Sequence, residues 1–130
     1  MHEQSLNSVA RRFPERSEIL ESLRAIALRL LAEDPMVDSV ELFGSLTRGN
    51  HGVRSDADVL VRLKDPRSDR PADRIPTYLA SFLDAPVPVD VFPLTIGELG
   101  RLLDDGSFFW KRALAERITL ASRGQDATTS

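Results

Sequence analysis

The chain has 130 residues, 42% hydrophobic and 28% charged, enough to bury one core and ordinary for a globular domain. It has no cysteine, which excludes a disulfide framework and a cysteine-ligated zinc site. A net charge of −3 argues against stable nucleic-acid binding, and no apolar run approaches a membrane span, so a cytoplasmic setting without a membrane partner is expected.

Residues 1–16 show no sustained hydrophobic period and no signal-peptide core, so a loosely ordered start is expected. From Ser17 onward, Ile19, Leu20, Leu23, Ile26, Ala27, Leu30 and Leu31 recur at helical spacing. Ser17 is the expected N-cap, Glu18 and Glu21 suit the positive helix end, and Pro35 stops the helix. Residues 37–43 alternate as a strand, with Val40 and Leu42 on one face and Ser39 and Glu41 on the other. Gly44-Ser45 ends that strand. A short helix or turn is expected over Leu46 to Arg48, and "GNHG" at 49–52 reads as a flexible loop in which His51 binds nothing. Asp56 to Leu63 forms a second strand, sending Ala57, Val59, Val61 and Leu63 one way and Asp56, Asp58, Leu60 and Arg62 the other.

"KDPRSDRPADR", residues 64–74, is polar and proline-rich and reads as a surface connection. A helix then carries Ile75, Leu79, Phe82 and Leu83, with Pro76 near its first turn. "APVPVDVFPL" supplies a third strand, Val87, Val89 and Val91 inward and Asp90 outward, with Pro88 and Pro93 limiting its ladder. Thr95 and Glu98 form a capping box opening a helix through Leu103, which Asp104-Asp105-Gly106 closes. Ser107 caps a last helix through Glu116. Phe108, Phe109 and Trp110 are consecutive, so one face of that helix cannot hide all three, and a partner surface could take what the core does not. "RITLAS" reads as a short final strand and residues 123–130 as a disordered tail. Most of the arginines are expected to be solvated surface. The order gives an α/β or α+β layered domain over residues 17–122, a small sheet flanked by helices.

Two stretches carry chemistry. Asp-x-Asp alone is uninformative in a chain with twelve aspartates, but here it follows a strand-ending Gly-Ser at ten residues' distance. Carboxylates at i and i+2 of a strand share a face with Cα atoms about 6.6 Å apart. Such a pair can bridge two hard cations, which in two-metal sites sit about 3.5–4 Å apart. Oxygen-only ligands point to magnesium or manganese rather than zinc. Asp90, between inward valines of another strand, projects to the same polar face. Gly44 allows close backbone approach, Ser45 can offer a hydroxyl and N–H groups to a phosphate, and Arg48 can add charge.

"LFGSLTRG", "SDADVLVRL" and "PVDVFPL" resemble the stand-alone minimal nucleotidyltransferases of the polymerase-β superfamily, over roughly residues 20–120. The resemblance implies a small mixed sheet flanked by helices in a polymerase-β-like fold. It implies that Asp56 and Asp58 hold two Mg²⁺ (or Mn²⁺) ions, and that Asp90 completes the metal site and helps deprotonate the attacking hydroxyl. It implies that Gly44 and Ser45 bind the triphosphate of ATP, with Arg48 matching the family's arginine. Leu46-Thr47 and Ala57 depart from the common pattern without touching these ligands. The implied reaction moves AMP from ATP to an acceptor hydroxyl and releases pyrophosphate. Small members of this family often pair with a HEPN-domain ribonuclease toxin and act as its antitoxin, modifying a toxin tyrosine or binding the toxin. The rival readings are transfer to a small hydroxylated molecule such as an antibiotic, and a non-catalytic antitoxin that only binds. The complete set of three acids counts against the latter.

Overall fold

The computed structural model describes residues 15–48, 56–65 and 67–124; residues 1–14 of the expected loose start, the 49–52 loop with His51, and residues 125–130 of the expected tail lie outside them, whereas Arg123 of that tail is held by the Leu31, Asp34 and Val37 carbonyls at 2.6, 2.8 and 2.7 Å. Helix α1 (Arg16–Glu33) buries Ile19, Leu23, Ile26, Ala27, Leu30 and Leu31, the stripe that the helical spacing predicts. Its N-cap is Glu15 and not Ser17. The Glu18 carboxylate accepts the Glu15 backbone N–H at 2.8 Å, and a glutamate reaching back from the third helical position fixes the start at Arg16.

Four strands follow the expected positions closely: β1 (Val37–Phe43), β2 (Ala57–Leu63), β3 (Val89–Thr95) and β4 (Ile118–Ser122). They form one mixed sheet in the order β3-β2-β1-β4. β1 is antiparallel to β2 and β4, whereas β2 and β3 are parallel and are joined through helix α2 (Pro71–Ala80). Helices α3 (Ile96–Asp104) and α4 (Phe108–Glu116) lie between β3 and β4 in the chain. Both start as their caps predict: Thr95 and Glu98 exchange hydrogen bonds at 3.0 and 2.9 Å, and Ser107 Oγ accepts the Trp110 N–H at 3.2 Å.

The sheet is covered on both sides. One face packs Val40, Leu42, Val59 and Val61 against α1 and against Tyr78 and Phe82. The other gathers Phe43, Leu60 and Leu94 with Leu99, Trp110 and Ala113 from α3 and α4. The face expected to be polar is therefore apolar across its middle. Burying each such large side chain stabilises the fold by about 1.5–3 kcal/mol. Ser39 and Glu41, on the face of β1 opposite Val40 and Leu42, are buried as well. Glu41 accepts from Ser39 Oγ at 2.6 Å and forms a two-point pair with Arg62 at 3.0 and 2.7 Å, so its charge is met inside.

The largest departures lie around α2. Its start at Pro71 places Pro76 inside the helix rather than in its first turn. Ile75 and Leu83 face outward, and the helix buries Arg74 and Tyr78 instead; Phe82 is buried in the turn that follows. β3 begins at Val89, two residues past Val87, yet runs seven residues through Pro93, because a strand at the sheet edge tolerates the loss of an N–H.

Arg74, in a stretch that reads as surface, is 2% exposed. All five of its N–H groups have partners. Nε donates to Asp69 Oδ1 at 3.0 Å, Nη1 to Glu98 Oε1 at 2.7 Å and the Pro93 carbonyl at 3.0 Å, and Nη2 to Glu98 Oε2 at 2.9 Å and the Asp69 carbonyl at 2.8 Å. One guanidinium thus ties the connection, α2, β3 and α3 together. Arg74 holds the Glu98 carboxyl below the usual carboxylate range, and Arg67 followed by Arg74 does so for Asp69.

Removing Arg74 takes from Glu98 its cationic partner and leaves Asp69 with Arg67 alone, so Arg74→Ala should lower stability by about 3 kcal/mol in urea unfolding, the low end for a broken buried pair. Carboxyls with depressed pKa values stabilise the fold above their ordinary titration range and lose that contribution as pH falls through the depressed values. Wild-type stability should therefore drop on acidification more steeply than that of Arg74→Ala.

Candidate active site

At the end of β1 the chain turns at Gly44, whose φ of +87° lies in the region where side chains are strained. A 3-10 turn, Ser45–Arg48, follows. Thr47 donates from both its N–H (3.0 Å) and its Oγ1 (2.6 Å) to the Gly44 carbonyl. Arg16 of α1 donates to the Leu46 and Thr47 carbonyls at 2.7 and 3.2 Å, and Leu46 is buried beneath. The turn is thus held from both sides. Arg16 falls in the stretch expected to be loose; the Glu15-x-x-Glu18 spacing was the signal that α1, and Arg16 with it, begins earlier. Ser45 opens the turn and Arg48 closes it, the Arg48 side chain lying outside the described part.

Asp58 is the second residue of β2. In the sheet register it stands between Phe43 of β1 and Asp90 of β3. Residues paired directly across strands project to the same face, which brings Asp58 and Asp90 side by side. Asp56, immediately before β2 and two residues from Asp58, falls on that face by alternation. Asp56 and Asp90 are exposed and Asp58 is half-buried. Burial pushes the Asp58 carboxyl pKa up, and the charges of Asp90 and Asp56 push it further.

Gly44 closes in over this group: a Cβ there would collide with Asp58 Oδ2. The glycine is needed both for its dihedral and for the room it leaves the carboxylate. Among the described residues no lysine or arginine is ion-paired with any of the three aspartates. Among them, too, no three His, Cys, Asp or Glu side chains gather closely enough to hold one metal ion. Asp58 and Asp90 are adjacent and Asp56 is within electrostatic reach, and mutual repulsion favours a spread arrangement. In donor chemistry the group fits a hard divalent cation.

Beside Asp58 and Gly44 opens a cleft of about 340 Å³, walled by Phe43, Phe108, Phe109 and Arg112. Of the three consecutive aromatics, Trp110 is buried against Phe43 at 5.3 Å between ring centres, whereas Phe108 and Phe109 remain 76% and 54% exposed. Successive helical residues lie about 100° apart, so the core accepts one of the three.

The nucleotidyltransferase domain family matches residues 21–117 of the chain. The fold is similar to that of a candidate nucleotidyltransferase from Sulfolobus solfataricus, with TM-score 0.62 and 20% identity over 85% of this chain and 86% of that one. It is also similar to a chain of a toxin-antitoxin complex crystallised with AMP-PNP, with TM-score 0.51 and 22% identity over 82% of this chain and 78% of that one. No curated protein matches the sequence. Among the described residues no helix is long and apolar enough to cross a membrane.

Gly44→Ala should cost about 1–2 kcal/mol from its dihedral alone, plus the displacement of Asp58. Combining it with Asp58→Ala should recover the collision part and leave the dihedral part. A double-mutant cycle on unfolding free energy measures that coupling, and simple additivity would mean that the two residues do not touch.

Proposed function

The chain belongs to the nucleotidyltransferase domain family, and on that premise we infer that it transfers AMP from ATP to a hydroxyl of a protein partner, a toxin that it neutralises. The observation that carries this reading is Asp58, half-buried, paired in register with Asp90 and raised in pKa by burial and by both neighbouring acids. A like-charged group held together beside a half-buried carboxylate is costly to the fold and useful to phosphoryl transfer. The likeness to a toxin-antitoxin complex with AMP-PNP supports ATP as the donor and a toxin as the partner.

In this reading Asp56, Asp58 and Asp90 hold Mg²⁺, as two ions that Mn²⁺ can replace. The metal supplies charge neutralisation at the transferred phosphoryl group. Gly44 lets the triphosphate approach the backbone, Ser45 donates its hydroxyl to a phosphate oxygen, and Arg48 adds positive charge. Asp90, exposed at the sheet edge, takes the proton of the acceptor hydroxyl. The freed oxygen bonds to the α-phosphorus, the bond from that phosphorus to the bridging oxygen breaks, and pyrophosphate leaves. The acceptor we assign is a tyrosine of a HEPN-domain ribonuclease toxin.

Incubation with labelled ATP, Mg²⁺ and such a toxin should place label on the toxin, and Asp58→Asn should reduce it about a thousandfold, the scale of a lost metal-site contact. Label absent from the toxin, with the toxin still neutralised, would leave a binding-only antitoxin. Thermal unfolding gives an independent check. The Asp58 pKa is raised in the folded state, so the stability gained by its protonation is present below the ordinary aspartate value and lost as pH rises through the raised one. Asp58→Asn should therefore melt higher than wild type at pH 7 without divalent cations. Mg²⁺ should raise the melting temperature of wild type and leave that of Asp58→Asn nearly unchanged.

A further inference from the structure

We propose that the cleft between the end of β1 and α4 is the nucleoside subsite, with the exposed ring of Phe109 stacking on the base of the triphosphate donor. The proposal rests on the reading above and assigns residues that the motif does not contain. Position carries the first part. The cleft is lined by Gly44 and Asp58 but not by Asp90, so it continues from the phosphate turn and not from the acid facing the acceptor. Its volume of about 340 Å³ suits a small molecule, at the lower end of ligand pockets.

The second part is the state of Phe109. Its ring meets Trp110 edge-on at 5.0 Å, Phe43 edge-on at 5.8 Å and Phe92 at 6.3 Å. Three ring contacts fix its orientation, yet 54% of the residue is exposed, and it lines the cleft. A side chain already ordered loses little entropy when a flat ligand covers it, and any base offers a π-face. Helical geometry adds a polar edge. Arg112 and Glu116 stand three and seven residues after Phe109 on the same stripe of α4 and form an ion pair at 3.2 Å, whereas Trp110 turns to the core. An aromatic platform followed by donors and acceptors one turn on suits a base and its ribose.

Titration calorimetry on the whole chain, with Mg·ATP and with Mg·tripolyphosphate, tests the assignment. Phe109→Ala should weaken ATP binding about tenfold and leave tripolyphosphate binding unchanged, because only ATP has a base to stack. Phe109→Leu, which keeps apolar contact with Phe43 and Trp110, should show the same selective loss and guards against a merely unfolded variant. Unchanged ATP affinity in both variants would overturn the subsite, and with impaired transfer would give the cleft to the acceptor; equal losses for both ligands would overturn it as well. Wild type binding both ligands equally tightly would overturn the subsite alone. Wild type binding neither would remove the transferase reading and the subsite with it.

Discussion

The register that sets Asp58 of β2 beside Asp90 of β3 is the constraint on which the rest of the site depends. A slip of one residue would turn Asp90 toward the α1 core and bring a valine to the carboxylate face. Parallel pairing cannot come from a hairpin; it needs the crossover through α2. Arg74 is placed where it pins that crossover, gripping the Pro93 carbonyl of β3 and the Glu98 carboxylate of α3 from inside the fold. A side chain far from the chemistry thereby holds two catalytic candidates in line.

The same face of the sheet treats two acids in opposite ways. Glu41 is buried and fully met, by Ser39 at 2.6 Å, by Arg62 at 2.7 and 3.0 Å, and by Arg117 at 3.3 Å. Asp58, one row along, faces two further carboxylates and a glycine with no room for a side chain. One arrangement satisfies charge and favours the fold. The other concentrates charge, and with it sit a positive-φ turn and two exposed phenylalanines. Features that weaken a fold cluster where a ligand could compensate for them, as expected of a functional site.

Much of the architecture was legible from local pattern. The α1 stripe, the alternation in β1 and β2, and the Thr95 and Ser107 caps depend on neighbours within a few residues, so spacing alone reveals them. Alternation also places Asp56 and Asp58 on one face. Where burial is decided by distant partners, pattern failed. Arg74 reads as surface because the stretch around it is polar, and its burial becomes favourable once Glu98 and Pro93, remote in sequence, join the nearby Asp69 in accepting its N–H groups. Ile75 and Leu83 read as core because they are apolar, but α2 turns Arg74 and Tyr78 inward.

The sequence by itself therefore determined the kinds of elements, the shared face of Asp56 and Asp58, and the glycine-serine turn, because each is written in residues within a turn or a strand of one another. Tertiary structure alone decided that Asp90 stands beside Asp58, that Arg16 and Arg74 brace the site from outside it, and that Phe109 rather than Trp110 faces the cleft. Those outcomes follow from strand order and from how helices pack on the sheet, which are sums over contacts between segments far apart in the chain.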